Sequence, residues 1–243
     1  MLRAFKCPSS RGHVVYFANC GIGDEIGLGI ANMAASSSPV AALLLPRNHI
    51  TPLGIAHLCS ALISRPAPML RALDLSHNPI GDSGAAHLTA VLAATPSLRV
   101  LRIDNCEIGL AGAEALAGAL VLGPRASSTT AVSGSPGARA ADAEALAPAA
   151  LAELSLAHNR VGDAGAGAFA AALARPGCAL RALDLACCGV TGRGARALAA
   201  ALLRGGNRTL ERLRVLAVAM GREEEAALSA LERAACAVSG GGW

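Results

Sequence analysis

Aromatic side chains are nearly missing, with one Trp, one Tyr and three Phe in 243 residues. So few rings cannot build a stacking platform for bases. Lysine is scarcer still: Lys6 is the single one, and the formal charge of +4 rests on arginines scattered along the chain without a basic run. Both shortages argue against nucleic-acid binding. Long apolar runs are lacking as well. Although 53% of residues are hydrophobic, the densest aliphatic stretch, from Val40 to Leu45, stops at Pro46. That is far short of the roughly 18 apolar residues of a spanning helix, so no membrane span is expected. The same apolar fraction excludes general disorder, and at about 150 residues per domain the length fits one large domain or two small ones.

The eight cysteines, Cys7, Cys20, Cys59, Cys106, Cys178, Cys187, Cys188 and Cys236, contain no C-x-x-C pair, which removes zinc-ribbon spacing. A charged start followed by an apolar core and a small-residue cleavage site is also absent. The expectation is therefore reduced thiols in an intracellular, cytoplasmic protein, with organellar import left open by Arg3, Lys6 and Arg11 ahead of the first acid, Asp24. Nothing matches a Walker loop, a nucleophile elbow or an H-E-x-x-H pair. Gly21-Ile22-Gly23-Asp24-Glu25-Ile26-Gly27 follows a strand-like segment, but its spacing is not G-x-G-x-x-G, and equivalent glycine turns recur at Gly81, Gly162 and Gly192. His49, His77 and His158 beside these turns, and His57 and His87 farther on, read as solvated or capping groups, because a metal needs several ligands within about 2.1 Å of one ion. Neither cofactor nor metal is expected.

What is present is self-similarity. Leu70, Leu73, Leu75, Asn78 and Ile80 read L-x-x-L-x-L-x-x-N-x-I, and the frame returns at Leu98, Leu151 and Leu180 downstream, at Val40 upstream, and more loosely at Gly12 and Leu210. Starts near 12, 40, 70, 98, 151, 180 and 210 are spaced by 28, 30, 28, 53, 29 and 30 residues. In the second half of each unit Gly84, Leu88 and Leu92 have counterparts in Gly54, Leu58, Leu62, in Gly112, Leu116, Leu120, in Gly165, Phe169, Leu173, and in Gly194, Leu198, Leu202. Leucines four apart share one helix face.

On these motifs the chain resembles the leucine-rich repeat family, in its ribonuclease-inhibitor-like subclass, over nearly its whole length. The resemblance implies an α/β solenoid, a horseshoe with a parallel sheet on the concave face and helices on the convex face. Physically, Leu73 and Leu75 enter the core from one face of a short strand while Asp74 and Ser76 turn the other way. No unit buries its leucines alone, so the units must stack. The Asn amide at Asn48, Asn78 and Asn159 is placed to satisfy backbone groups of the turn, and Cys20, Cys106 and Cys188 take its place in the other units as small buried thiols, which makes these six a structural ladder.

The expected organisation is an extension over residues 1–11 and one solenoid over 12–243 with an insertion at 121–148. The core of the insertion, 123–140, is rich in Ser, Thr, Gly and Pro, with a short helix from Asp142 to Leu146 before re-entry. Ser135-Pro136 there reads as an accidental pair in a mobile tract. A capping helix spans 222–238, its Glu223, Glu224 and Glu225 suiting an N-terminal dipole. About a dozen residues precede the first strand, expected at Val14 to Ala18. They are too few for a cap, so a partner or a longer parent chain would have to cover that edge.

The register assigns the concave face to Tyr16, Asn19, Leu44, Arg47, Asp74, His77, Arg102, Asp104, Asn105, Glu153, Ser155, His158, Asp184, Arg212 and Arg214. With both charge signs interspersed, this face suits a folded protein surface. The expected function is a non-enzymatic interaction scaffold or assembly subunit that binds a protein partner there. The alternative is a GTPase-activating protein. The N-x-I-G-D-x-G turn from Asn78 to Gly84 is similar to that of the Ran GTPase activators, which would make a small GTPase the partner and Arg47 or Arg102 its finger. The acidic tail of that family is missing. A third reading, the sensor part of an innate-immune receptor, would need an ATPase domain that this chain does not contain.

Overall fold

Each alternating L-x-L becomes a strand only three to five residues long, because the ladder residue that follows turns the chain toward the helix layer. The computed structural model describes residues 4–6, 13–26, 29, 40–64, 70–122, 151–175, 177–204 and 209–215. Strands β1 (Ala4–Lys6), β2 (His13–Tyr16), β3 (Val40–Leu44), β4 (Ala72–Asp74), β5 (Val100–Arg102), β6 (Glu153–Ser155), β7 (Ala182–Asp184) and β8 (Arg212–Arg214) form one sheet in chain order. From β2 to β8 all pairings are parallel. Helices α1 (Pro52–Ser64), α2 (Gly81–Ala94), α3 (Leu110–Leu122), α4 (Gly162–Leu173) and α5 (Gly192–Arg204) form the second layer, each packed on the next. Strands stack about 4.8 Å apart and helices about 10 Å apart, so the sheet lies on the inside of the curve.

The core lies between the layers. The second and third leucines of each unit are sealed off, as at Leu43, Leu45, Leu73, Leu75, Leu101, Ile103, Leu154, Leu156, Leu183 and Leu185. The helices meet them with Leu58, Leu88, Leu116, Phe169 and Leu198, all buried. Hydrogen bonds extend the ladder past the short strands, for example Leu75 N–H to the Arg102 carbonyl at 2.9 Å and His77 N–H to the Asp104 carbonyl at 2.7 Å. The long spacing leaves this register intact: Val100 pairs with Glu153 and Leu101 with Leu154.

Asparagine links the units. Asn78 Oδ1 accepts from the N–H groups of Asn48 at 2.8 Å and Ile50 at 3.1 Å, while its Nδ2 donates to the carbonyls of Leu45, Leu75 and Ser76. Asn159 repeats the pattern on Cys106 and Ile108, and Asn48 on Cys20. Where cysteine stands instead, the thiol reaches back to the previous unit, Cys106 Sγ to the Leu75 carbonyl at 3.3 Å and Cys188 Sγ to the Leu156 carbonyl at 3.0 Å. Burial pushes the Cys106 thiol up to about 12 and the Cys188 thiol up to about 11, so both are protonated at neutral pH.

A second inter-unit link is an aspartate cap. Asp24 accepts from the Thr51 N–H and hydroxyl and from Gly54 N–H, Asp82 from the N–H groups of Gly109 and Gly112, and Asp163 from the Thr191 N–H and hydroxyl and from Gly194 N–H. Each carboxylate thus satisfies orphan donors at the start of the next unit's helix. A methyl on Gly112 or Gly194 would lie 2.7 Å from the capping oxygen, which explains glycine there. The caps alternate, because Pro52, Leu110 and Gly192 hold the equivalent place in the intervening units.

Partial burial pushes Asp24 and Asp163 upward, but hydrogen bonds from threonine and glycine outweigh it and hold both below the ordinary carboxylate value. The unfolded chain then binds protons first, so this stabilisation is complete above about pH 4 and falls away as pH drops through the native values. Asp163→Asn is expected to flatten the acid limb of a urea-midpoint profile and to leave the shape of the profile above pH 5 unchanged.

Four expectations change. The edge of β2 is covered: Ala4–Lys6 runs antiparallel along it, with Phe5 opposite Val14. The first parallel strand is His13–Tyr16, not 14–18. Helix α3 continues through Val121 and Leu122, two residues into the expected insertion. Cys20 is exposed, because β1 is antiparallel and supplies no preceding repeat unit to enclose it. The helices expected at Asp142 to Leu146 and at 222–238, and Ser135-Pro136, lie outside the described residues.

Candidate functional site

Period two along each strand and strict register across the sheet arrange the concave side chains in rows. One row is Tyr16, Leu44, Asp74, Arg102, Ser155, Asp184 and Arg214, and a second is Val14, Ala42, Ala72, Val100, Glu153, Ala182 and Arg212. Asp74 apart, their N-terminal halves are apolar, and Ala182 apart, their C-terminal halves are polar or charged. The small apolar side chains of the second row, Val14, Ala42, Ala72, Val100 and Ala182, join the expected concave residues through the same period.

At the C-terminal half, Arg102, Asp104, Glu153, Ser155, Asp184, Arg212 and Arg214 line one depression of about 290 Å³. Arg212 Nη2 meets Glu153 Oε1 at 2.7 Å, reaching over Ala182, which lies between them in the row. Arg214 Nη1 meets Asp184 Oδ2 at 3.1 Å, and the other carboxylate oxygen of Asp184 accepts from Ala186 N–H at 2.9 Å. Asp104 accepts from the Ser155 hydroxyl and from Ala157 N–H. Asp74 stands opposite Arg102 but accepts from Ser76 N–H at 2.9 Å. Ser76 itself is buried, its hydroxyl facing Asp104 N–H. The arginines of these pairs are mostly exposed, so each pair contributes about 0–1 kcal/mol and orders the surface more than it stabilises the fold.

The remaining candidates lie elsewhere. Tyr16 is 46% exposed at the opposite end of the row. Asn19, Arg47, His77, Asn105 and His158 each follow the last strand residue by three positions, all exposed and all at left-handed φ between 51° and 61°. They form a loop edge just past the C-terminal ends of the strands, where Asn105 Nδ2 lies 3.1 Å from His77 Nδ1. Among the described residues no three His, Cys, Asp or Glu side chains gather as a metal site would need, and no helix is long and apolar enough to cross a membrane.

A leucine-rich repeat profile matches residues 67–88, 95–117, 151–170 and 178–199. Ribonuclease inhibitor from Sus scrofa is 33% identical over 156 residues, which is 64% of this chain and 28% of that protein, so the chain spans little more than a quarter of its relative. Among solved structures, leiomodin-1 actin-binding site 2 aligns over 87% of this chain and 90% of its own at 13% identity, with a TM-score of 0.47. The tropomodulin C-terminal domain of Caenorhabditis elegans aligns over 88% and 95% at 14% identity, with a TM-score of 0.44. Neither likeness bears on what this chain binds. The four profile matches fall on the observed strand–turn–helix units: the chain is built of leucine-rich repeats and is similar in sequence to ribonuclease inhibitor.

Proposed function

We propose that the chain is a non-catalytic, intracellular protein-binding module, and that it holds a protein partner on the concave face at the depression between Arg102 and Arg214. The observation that carries this reading is the depression itself. Ion pairs spanning three strands pre-arrange charged groups of both signs at its wall while leaving the arginines 67% and 70% exposed at Arg212 and Arg214. Pre-ordered, mixed-sign groups on a rigid sheet favour complementarity with one protein surface over others.

Affinity purification of the tagged chain from its own cells, followed by cross-linking and mass spectrometry, tests it. Lys6 is the only lysine, so carboxylate-directed reagents are needed in place of amine-directed ones. A partner recovered in stoichiometric amount and cross-linked to Asp104, Glu153 or Asp184 is the expected result. The double variant Arg212→Glu, Arg214→Glu is expected to abolish that capture and to shift the melting temperature by only a few degrees, since exposed pairs contribute little. Capture unaffected by the variant would refute the assignment. A GTPase-activating role is the second reading, favoured by the exposure of Arg102 and by its having no ion-pair partner among the described residues. Accelerated GTP hydrolysis by a small GTPase, lost in Arg102→Ala, would establish it.

A further inference from the structure

Among the described residues, Arg102 is the one charged side chain at the depression without a hydrogen bond or ion pair, and it is exposed. Each carboxylate around it accepts from another donor: Asp74 from Ser76 N–H, Asp104 from Ser155 and Ala157, Asp184 from Arg214 and Ala186, and Glu153 from Arg212. Beside it in the neighbouring row, and beyond Asp74 in its own, lies an apolar strip in which Val100, Ala72 and Leu44 are half-buried and Tyr16 is 46% exposed. A guanidinium with open donors at the end of an apolar strip is complementary to a carboxylate attached to an apolar chain.

From this juxtaposition we infer that the partner enters as an extended peptide segment that lies across the strands, seats an apolar side chain on the strip at Leu44 and Tyr16, and delivers an Asp or Glu carboxylate to Arg102. Leu44 and Arg102 lie two strands apart, about 10 Å at the usual strand spacing, and an extended segment in the polyproline II form advances about 3.1 Å per residue and returns a side chain to the same face every third residue. The segment therefore reads apolar-x-x-acid. Between the two anchors the row holds Asp74, whose Oδ1 is turned to Ser76 N–H, and the small side chains of Ala42 and Ala72 keep the neighbouring row low enough for the peptide backbone. This inference rests on the concave-face reading and adds the chemistry of the occupant.

The test is selection of a random 12-residue displayed peptide library on the full chain, followed by fluorescence polarisation with the enriched peptides. Enrichment of an acid three positions from an aliphatic or aromatic residue is expected. Arg102→Gln should weaken binding about ten-fold, as loss of one charge-assisted hydrogen-bonded contact does. Converting the peptide acid to its amide should weaken binding to the wild type equally and cause no further loss with Arg102→Gln, the signature of a direct pair. Tyr16→Ser, at an exposed position, should weaken the same peptides. Enriched peptides without an acid, an unchanged affinity in Arg102→Gln, or no enrichment would each overturn the inference. Basic peptides lost in Glu153→Gln would overturn it while leaving the concave face as the binding surface. Peptides indifferent to every concave substitution would remove both.

Discussion

Phe169→Ala is expected to lower the unfolding free energy by about 3–5 kcal/mol, the usual cost of deleting a fully buried phenylalanine ring. Phe169 lies in α4, is completely enclosed, and is the largest fully buried side chain among the described residues. Four other units place leucine at the same position, Leu58, Leu88, Leu116 and Leu198, and each is buried as well. The site is therefore shaped for an apolar side chain of about that size, and Phe169→Leu should cost less than about 1.5 kcal/mol. In a solenoid each unit is held only by its neighbours, so a cavity in α4 also loosens the α3–α4 and α4–α5 contacts. Urea titration followed by circular dichroism measures both variants. A loss in the alanine variant no larger than that in the leucine variant would show that this layer is not close-packed.

Asn78→Ala should be comparably damaging although it removes only one small polar side chain. Asn78 is 1% exposed and serves five backbone groups in two units. Alanine leaves the N–H groups of Asn48 and Ile50 and the carbonyl of Leu45 without that partner in a dry interior, at about 1–3 kcal/mol for each group left unsatisfied. The sum is not additive, and a loss of about 3 kcal/mol or more is expected. Asn78→Cys is the informative control. Cysteine fills the equivalent place at Cys106 and Cys188, where the thiol still donates to the previous unit. It should recover roughly half of the loss, through one weak donor in place of an amide. Equal destabilisation by alanine and cysteine would mean that the ladder works by filling space and not by hydrogen bonding. Native-state hydrogen exchange at Asn48 and Ile50 separates the two cases, because their protection depends on Asn78 Oδ1.

Much of the fold was legible because each unit is specified locally. Leu73 and Leu75 are buried through period two, Leu88 and Leu92 through a separation of four, and the chain turns at Gly81, where φ is +62° and a side chain would be strained. Repetition turned these local rules into a global one: once adjacent units obey the same frame, their strands can only stack in register. The 53-residue spacing was legible for the same reason, as an interruption between two frames that continue unchanged.

The concave surface was legible only as a set of residues. Period two and register identify Glu153, Asp184, Arg212 and Arg214 as neighbours, yet nothing local tells which of them pair. Arg212 passes over Ala182 to reach Glu153 two strands away, whereas Asp74, opposite Arg102, turns to its own backbone. These choices depend on side-chain reach across strands contributed by units up to 59 residues apart. The aspartate caps are similar, since Asp82 serves the helix of the next unit and not its own. The sequence by itself determined the repeat, its period, the identity of the core leucines and the row to which each concave residue belongs, because all of these follow from backbone geometry within one unit. Only the tertiary structure decided the covered edge at β1, the ion pairs of the depression and the uncommitted guanidinium of Arg102, because each is settled by contacts between units, where several partners of similar chemistry compete and distance selects one.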